Sequence, residues 1–233
     1  MKKCLLSLLA LITLLAAGCG GISEISGNNA LSSQSVVVKL PEPRMDSEVS
    51  LEKTLLERRS VREYSGESLS LTDVSQLLWA AQGVTSDLGQ RTAPSAGGLY
   101  PLEVYLVTGD VEGLPPGSYR YLPGSHEITM VRSGDLRAQL SEAALSQEWV
   151  QEGAVNFVIS AVYDRTTQKY GDRGVRYVHM EAGHAAQNLC LEVVVLNLGA
   201  VTVGAFDDNK VKELVGMTED EVPLYVIPVG KIA

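Results

Sequence analysis

Two rhythms of apolar and polar positions run along the chain, and they mark out its elements. Ser50 is an N-cap for "LEKTLLERR", and Ser70 with Asp73 makes a capping box for "SLTDVSQLLWAAQG", which Gly83 stops. The spacing predicts a helix over each. The β-branched and aromatic run "LEVYLVTG" predicts a strand, and "GSYRYLPGSHEITMV" a hairpin turning at Pro123 and Gly124. Further on, "GDLRAQLSEAAL" predicts a helix and "VNFVISAVY" a buried strand, while "RYVHMEAGHAAQNLCLEVVVLNLG" predicts a long helix closed by Gly199. A short helix, "KVKELVG", and a strand, "PLYVIPVG", complete the order. Strands and helices are interspersed without a regular βαβ alternation, so the class expected is α+β. Within the long helix, "LCLEVVVLNL" is apolar around much of its circumference and calls for burial on more than one side, by a sheet and by a second subunit.

The first eighteen residues stand apart. "MKKCLLSLLALITLLAAG" has Lys2 and Lys3, then an apolar run too short to span a membrane, then small residues, which is the pattern of an export signal. It stops at "LAAGC", similar to the lipobox of bacterial lipoproteins, so Cys19 is expected to carry lipid and to hold the protein at the cell envelope, outside the cytoplasm. Ordinary cleavage and an uncleaved anchor are the alternatives. From there the division expected is a signal over 1–18, a flexible tether over 19–49, rich in Ser, Asn and Gly, and one folded domain over 50–233.

A chain of 233 residues with 45% hydrophobic content is long enough for one substantial core. Its formal net charge is -9, which excludes a general field for nucleic acid or anionic lipid, so an anion must be caught by a local cluster. Arg58, Arg59 and Arg62 in "LLERRSVREYSG" are such a cluster. Taken alone, such a cluster is more often a solvated helix end, pairing here with Glu57, Glu63 or Glu67. Once Cys4 and Cys19 are set aside, Cys190 has no partner for a disulfide and reads as a small buried hydrophobe.

Other chemistries fit poorly. His179 and His184 in "HMEAGH" are five apart and do not share a helix face, against a zinc-protease helix. "PSAGGLYP" precedes a strand rather than joining a strand to a helix, which removes both a dinucleotide fingerprint and a nucleophile elbow at Ser95.

The strings "RRSVREYSG", "PSAGGLYPLEVYLV", "VGAFDD" and "PLYVIPVG" occur in the order seen in the nitroreductase superfamily of flavin enzymes, and the resemblance runs from about Leu51 to Lys231. "LLWAAQGV", "SYRYLPGSHE", "KYGDRGVRY" and "GHAAQNL" are similar to its SagB/ThcOx-type dehydrogenases. The resemblance implies an α+β nitroreductase-like fold: a mostly antiparallel sheet flanked by helices, in an obligate homodimer with FMN at the subunit interface. It implies that Arg58 and Arg62 neutralise the FMN phosphate, that Arg59 and Ser60 donate hydrogen bonds, and that Lys231 is the one C-terminal cation on offer. Pro94, Ser95 and Ala96 match the loop that borders the flavin ring from the partner subunit, and Gly204 and Ala205 match backbone beside flavin N5. Lys169 and Tyr170 match a pair implicated in proton removal in some SagB-type enzymes; the other reading is a solvated loop with Tyr170 packed on the core. The activity implied is two-electron transfer through flavin N5, to or from a small molecule or peptide. The alternative is a non-catalytic extracytoplasmic flavin- or ligand-binding module on the same fold.

Overall fold

A computed structural model describes residues 36–233. The signal segment, Cys19 and the tether as far as residue 35 lie outside the described residues.

Seven strands form one sheet in the order β1-β4-β3-β2-β5-β7-β6, and every strand pairing in it is antiparallel. At its centre lie β2 (Leu102–Thr108), β5 (Val155–Val162) and β7 (Glu221–Lys231). All eight positions of β5 are buried, as expected of a strand covered on both faces. The two-residue period divides the core. Phe157, Ile159 and Ala161 of β5 join Leu102, Val104 and Leu106 of β2 on one face, while Val158, Tyr105 and Val107 point to the other.

The first face is covered by α2 (Leu71–Gln82) and α6 (Arg173–Val195), through Leu77, Leu78, Val178, Ala182 and Leu189. The second is covered by α3 (Arg137–Ala143), α4 (Glu148–Glu152) and α7 (Asp208–Val215), through Leu140, Val150, Val211 and Val215. The result is a helix–sheet–helix sandwich, the α+β architecture expected. The predicted caps are formed: the Ser50 hydroxyl accepts the Lys53 N–H at the start of α1 (Leu51–Glu57), and Ser70 accepts the Asp73 N–H while donating to its carboxylate.

Several boundaries differ from the sequence reading. Val37–Lys39, within the tether bounds but in the run "SVVVKLPEP" that reads as a short extended segment, forms β1 on the sheet edge against β4 (Glu127–Ser133), and Leu40 behind it is buried. The hairpin of β3 (Gly117–Leu122) and β4 turns with His126 rather than Gly124 at positive φ. The long helix does not run to Gly199. It ends at Val195, Asn197 takes the positive φ, and Gly199 sits in β6 (Leu198–Ala200) opposite Gly230. A Cβ on Gly199 would stand 2.6 Å from the Val61 side chain, so glycine there serves close packing rather than helix termination. Residues read as a loop, "DRTTQKY", form a helix of their own, α5 (Asp164–Tyr170).

Candidate active site

The arginine segment leaves α1 at Arg58 and runs along the edge of the sheet. The Val61 N–H donates to Ala200 O (2.9 Å), Tyr64 bridges to Ile232, and the Ser65 N–H donates to Lys231 O (3.0 Å). The Tyr64 hydroxyl lies 3.2 Å from Pro228 O, and burial pushes its pKa up. The backbone of residues 61–65 is thus fixed while the guanidinium groups remain outside it. Among the described residues, none of Arg58, Arg59 and Arg62 forms an ion pair: Glu57 meets Lys53, and Glu67 meets Lys231. The solvated-pair reading of the cluster is therefore not realised. Arg59 donates to Leu56 O and Arg58 O and so closes the end of α1, and Arg62 stacks 5.3 Å from the Trp149 ring. Ser60 is exposed between them. Lys231, the C-terminal cation, pairs with Glu67 at 2.9 Å.

α4 links this segment to Gly204 and Ala205. Its Trp149 carries Arg62, and Gln147, at its N-cap, donates to Ala205 O (3.0 Å). Gly204 and Ala205 are exposed, following Val203, which is bridged to Val226 of β7. A cleft of about 230 Å³ opens beside the arginines, lined by Arg59, Val61, Cys190, Val194 and Ala200. Cys190 is half-buried there, and burial pushes its thiol pKa up, in keeping with a packing role.

Pro94, Ser95 and Ala96 lie elsewhere. They lead into a single 3-10 turn, Ala96–Gly98, and Ser95 Oγ accepts the Tyr100 N–H at 2.9 Å. This turn meets α5. A Cβ on Gly97 would stand 2.7 Å from the Tyr170 hydroxyl and 2.9 Å from Lys169 Nζ, both side-chain tips, and it is the backbone, at φ +67, that favours glycine here. Lys169 is exposed at the end of α5, while Tyr170 packs edge-on against Tyr177 of α6, 5.2 Å between centroids. A clamp holds the two pieces together: Arg165 of α5 donates to Tyr100 O (3.1 Å) and to Glu103 (2.6 Å), and Glu103 also pairs with Arg120. Arg165 thereby places its charge on Glu103 rather than on Lys169.

The predicted residues thus form two groups. Arg58–Arg62 with Gly204–Ala205 surrounds α4 and the C-terminal end of α6, whereas Pro94–Gly98 with Lys169–Tyr170 adjoins its N-terminal half. The contacts that fix them on α6, near Cys190 and Glu181, are nine residues apart, about 13 Å of helix. Sequence reasoning missed Glu181, Arg91 and the Glu103 clamp. Glu181 was detectable, since it interrupts the inward stripe of Val178, Ala182, Ala185 and Leu189.

The donor set fits a flavin mononucleotide. Three guanidinium groups without carboxylates suit a dianionic phosphate, and open space at Gly204 leaves room for a flat ring. The chain is 46% identical over 184 residues to the nitroreductase-family protein MJ1384 of Methanocaldococcus jannaschii, covering 79% of this chain and 92% of that one. It is 27% identical over 192 residues to the trifolitoxin operon protein TfxC of Rhizobium leguminosarum bv. trifolii, covering 76% of this chain but only 54% of TfxC. A solved structure from Ralstonia eutropha, described as of a nitroreductase, superposes with TM-score 0.74 at 32% identity, over 84% of this chain and 90% of that one. The nitroreductase family model matches residues 55–231, and with this sheet and these relatives the chain belongs to the nitroreductase family.

Proposed function

We propose that the chain is an FMN-dependent oxidoreductase of the SagB/ThcOx-type branch, working as a homodimer with flavin between subunits and anchored at the cell envelope by lipid on Cys19. The observation that carries the flavin reading is the set of guanidinium groups at Arg58, Arg59 and Arg62, free of carboxylates and held on a backbone stitched to the sheet. Arg58 and Arg62 hold the phosphate, and Arg59 and Ser60 donate to it and to the ribityl chain. Lys231 stays with Glu67.

When bound, FMN supplies two-electron hydride chemistry. The backbone at Gly204 and Ala205 lines one side of the ring, and Pro94, Ser95 and Ala96 of a second copy border it from the other. Lys169 and Tyr170, beside Gly97, hold and move the proton at the substrate atom next to the one exchanging hydride. The separation of the two residue groups along α6 supports a site completed across subunits. So does the exposed apolar face of α1, where Leu51, Leu55 and Leu56 are 62%, 55% and 71% exposed. The substrate in this reading is a small molecule or a peptide.

The test is the chain purified without residues 1–18. It should be yellow, release one FMN per subunit on denaturation, and show flavin that is reduced and reoxidised. Colourless protein that takes up no added FMN would overturn the flavin reading. Bound FMN that no donor or substrate reduces would leave the flavin-binding module.

A further inference from the structure

One imidazole joins three elements that are distant in sequence. His126, at φ +51 in the turn between β3 and β4, has Nδ1 2.8 Å from the Tyr121 hydroxyl of β3. Its Nε2 lies 2.8 Å from Ser75 Oγ of α2 and 3.0 Å from Pro41 O, just past β1. The Ser75 hydroxyl donates to the same Pro41 carbonyl at 2.5 Å. Gln76, next on α2, grips the segment a second time, accepting the Arg44 N–H (2.8 Å) and donating to Arg44 O (3.2 Å). His126 O accepts the Leu40 N–H (3.2 Å), and β1 pairs with β4, so residues 36–44 are fastened to both the sheet edge and α2.

The partners assign the ring proton. Pro41 O can only accept, and the one Ser75 hydroxyl proton is spent on it, so Nε2 carries hydrogen while bare Nδ1 accepts from Tyr121. Tyr121 is 1% exposed, burial pushes its pKa up, and its hydroxyl makes no second hydrogen bond among the described residues. A proton added at Nδ1 would therefore face the Tyr121 oxygen and leave the hydroxyl hydrogen buried without an acceptor, which disfavours the charged ring while the segment is docked.

We infer that His126 is a proton-sensitive latch on the N-terminal segment: as neutral imidazole it fastens Pro41 to α2 and β3, and on becoming imidazolium it shifts residues 36–44 toward release from the sheet edge. Burial, the largest influence, lowers the His126 pKa from the 6.5 of a free ring, in agreement with that hydrogen bonding. Of the charged neighbours on the segment, Glu42 favours the charged ring and Lys39, which donates to Ser125 O, opposes it. Glu127 of β4 is in register with Lys39, Arg91 acts on Tyr121, and Ser75 and Gln76 of α2 are uncharged. Because the docked pKa is lowered, the latch is whole above about 6.5 and weakens as pH falls from there through the docked value. Freed, residues 36–44 lengthen the link to the proposed anchor at Cys19 by at most about 30 Å, so acidification would let the domain stand farther from the membrane. Only that consequence rests on the anchor; the latch belongs to the chain alone.

Hydrogen exchange of peptides spanning 36–44, expressed as protection factors, reads the latch on the chain lacking residues 1–18. In wild type, protection should fall about threefold or more between about pH 7.5 and about pH 5.5. His126→Asn, which tolerates the left-handed backbone and does not titrate, should be less protected at the higher pH and show no step. Ser75→Ala should lower protection at both pH values and keep the step, because the ring still titrates; a merely structural cluster would show no step in any of the three. If His126→Asn does not fold, His179→Gln with His184→Gln, both at exposed positions, leaves His126 as the one imidazole in a proton NMR titration, and its pKa should lie below 6.5. Flat protection in wild type, a step that survives in His126→Asn, or a His126 pKa at or above 6.5 would overturn the inference. An exchange step in a chain whose full-length form takes up no lipid would overturn the anchor and leave the latch standing; lipid uptake with flat exchange would do the reverse.

Discussion

Gly97 and Tyr170 approach so closely that one added carbon on Gly97 would stand 2.7 Å from the Tyr170 hydroxyl. The turn and the Lys169–Tyr170 pair are therefore neighbours, and testing the pair separates an enzyme from a flavin store. A positioned acid–base group contributes typically 10²–10⁴-fold. Lys169→Ala and Tyr170→Phe should therefore keep flavin and dimerisation yet slow substrate-driven flavin reduction in stopped flow by at least about tenfold. Equal rates in all three proteins would remove the pair from the mechanism.

The arginine assignment carries its own magnitude. Each charge-assisted bond to phosphate is worth roughly 1.5–3 kcal/mol, so Arg58→Ala with Arg62→Ala should weaken FMN at least about a hundredfold, read by fluorescence titration of the apoprotein. Neither side chain supports the fold through an ion pair, so the melting temperature of the apoprotein should hardly move. A double variant that keeps stoichiometric FMN would refute the phosphate assignment.

Glu181 also leaves a mark on stability. Its folded pKa lies above the 4.5 of a free glutamate, at about 7, so the folded state binds the proton more tightly. The associated stability is fully present below 4.5, is lost as pH rises from there through about 7, and stays lost above. Urea unfolding at pH 5 and pH 8 should show Glu181→Gln gaining roughly 1–3 kcal/mol relative to wild type at the higher pH. A constant difference between the two proteins would mean that the carboxyl is not held away from water.

The exposed leucines of α1 predict an assembly. Light scattering on the flavin-loaded chain without residues 1–18 should show a dimer, and Leu55→Glu with Leu56→Glu should give a folded monomer that loses FMN. A wild-type monomer that retains FMN would contradict the shared site.

Lipid attachment is tested at one atom. Cys19→Ala should abolish labelling by a fatty-acid probe in a bacterial host, leaving soluble chain or uncleaved precursor. Labelling that survives the change would place the lipid elsewhere.

What the sequence revealed depended on how local the cause was. β2 and β5 announce themselves as runs rich in β-branched and aromatic residues, and Ser50 and Ser70 cap helices from within four residues. Three-residue strands such as β1 and β6 are too short to show a period, and Gly199 read as a helix stop because nothing nearby in sequence indicates Val61 against it. The site divides in the same way. The arginines stand together in sequence, whereas the Arg165–Glu103 clamp joins positions 62 residues apart and can be seen only in the fold. The Lys231–Glu67 pair was hidden for a similar reason, since the two lie 164 residues apart.

The stitching of residues 61–65 to β6 and the end of β7 sets an order of assembly. Tyr64 reaches Pro228 across 164 residues, and Ser65 donates to Lys231. During synthesis, nascent chain that already includes every arginine of the segment still lacks the strand that shapes it, so nothing in the first two hundred residues can recruit the phosphate. If the arginines hold FMN as proposed, its capture follows synthesis of the final strand. A ribosome-stalled chain halted before β7 should then ignore FMN, and the proposed anion site would act as a check that synthesis has passed through the final strand.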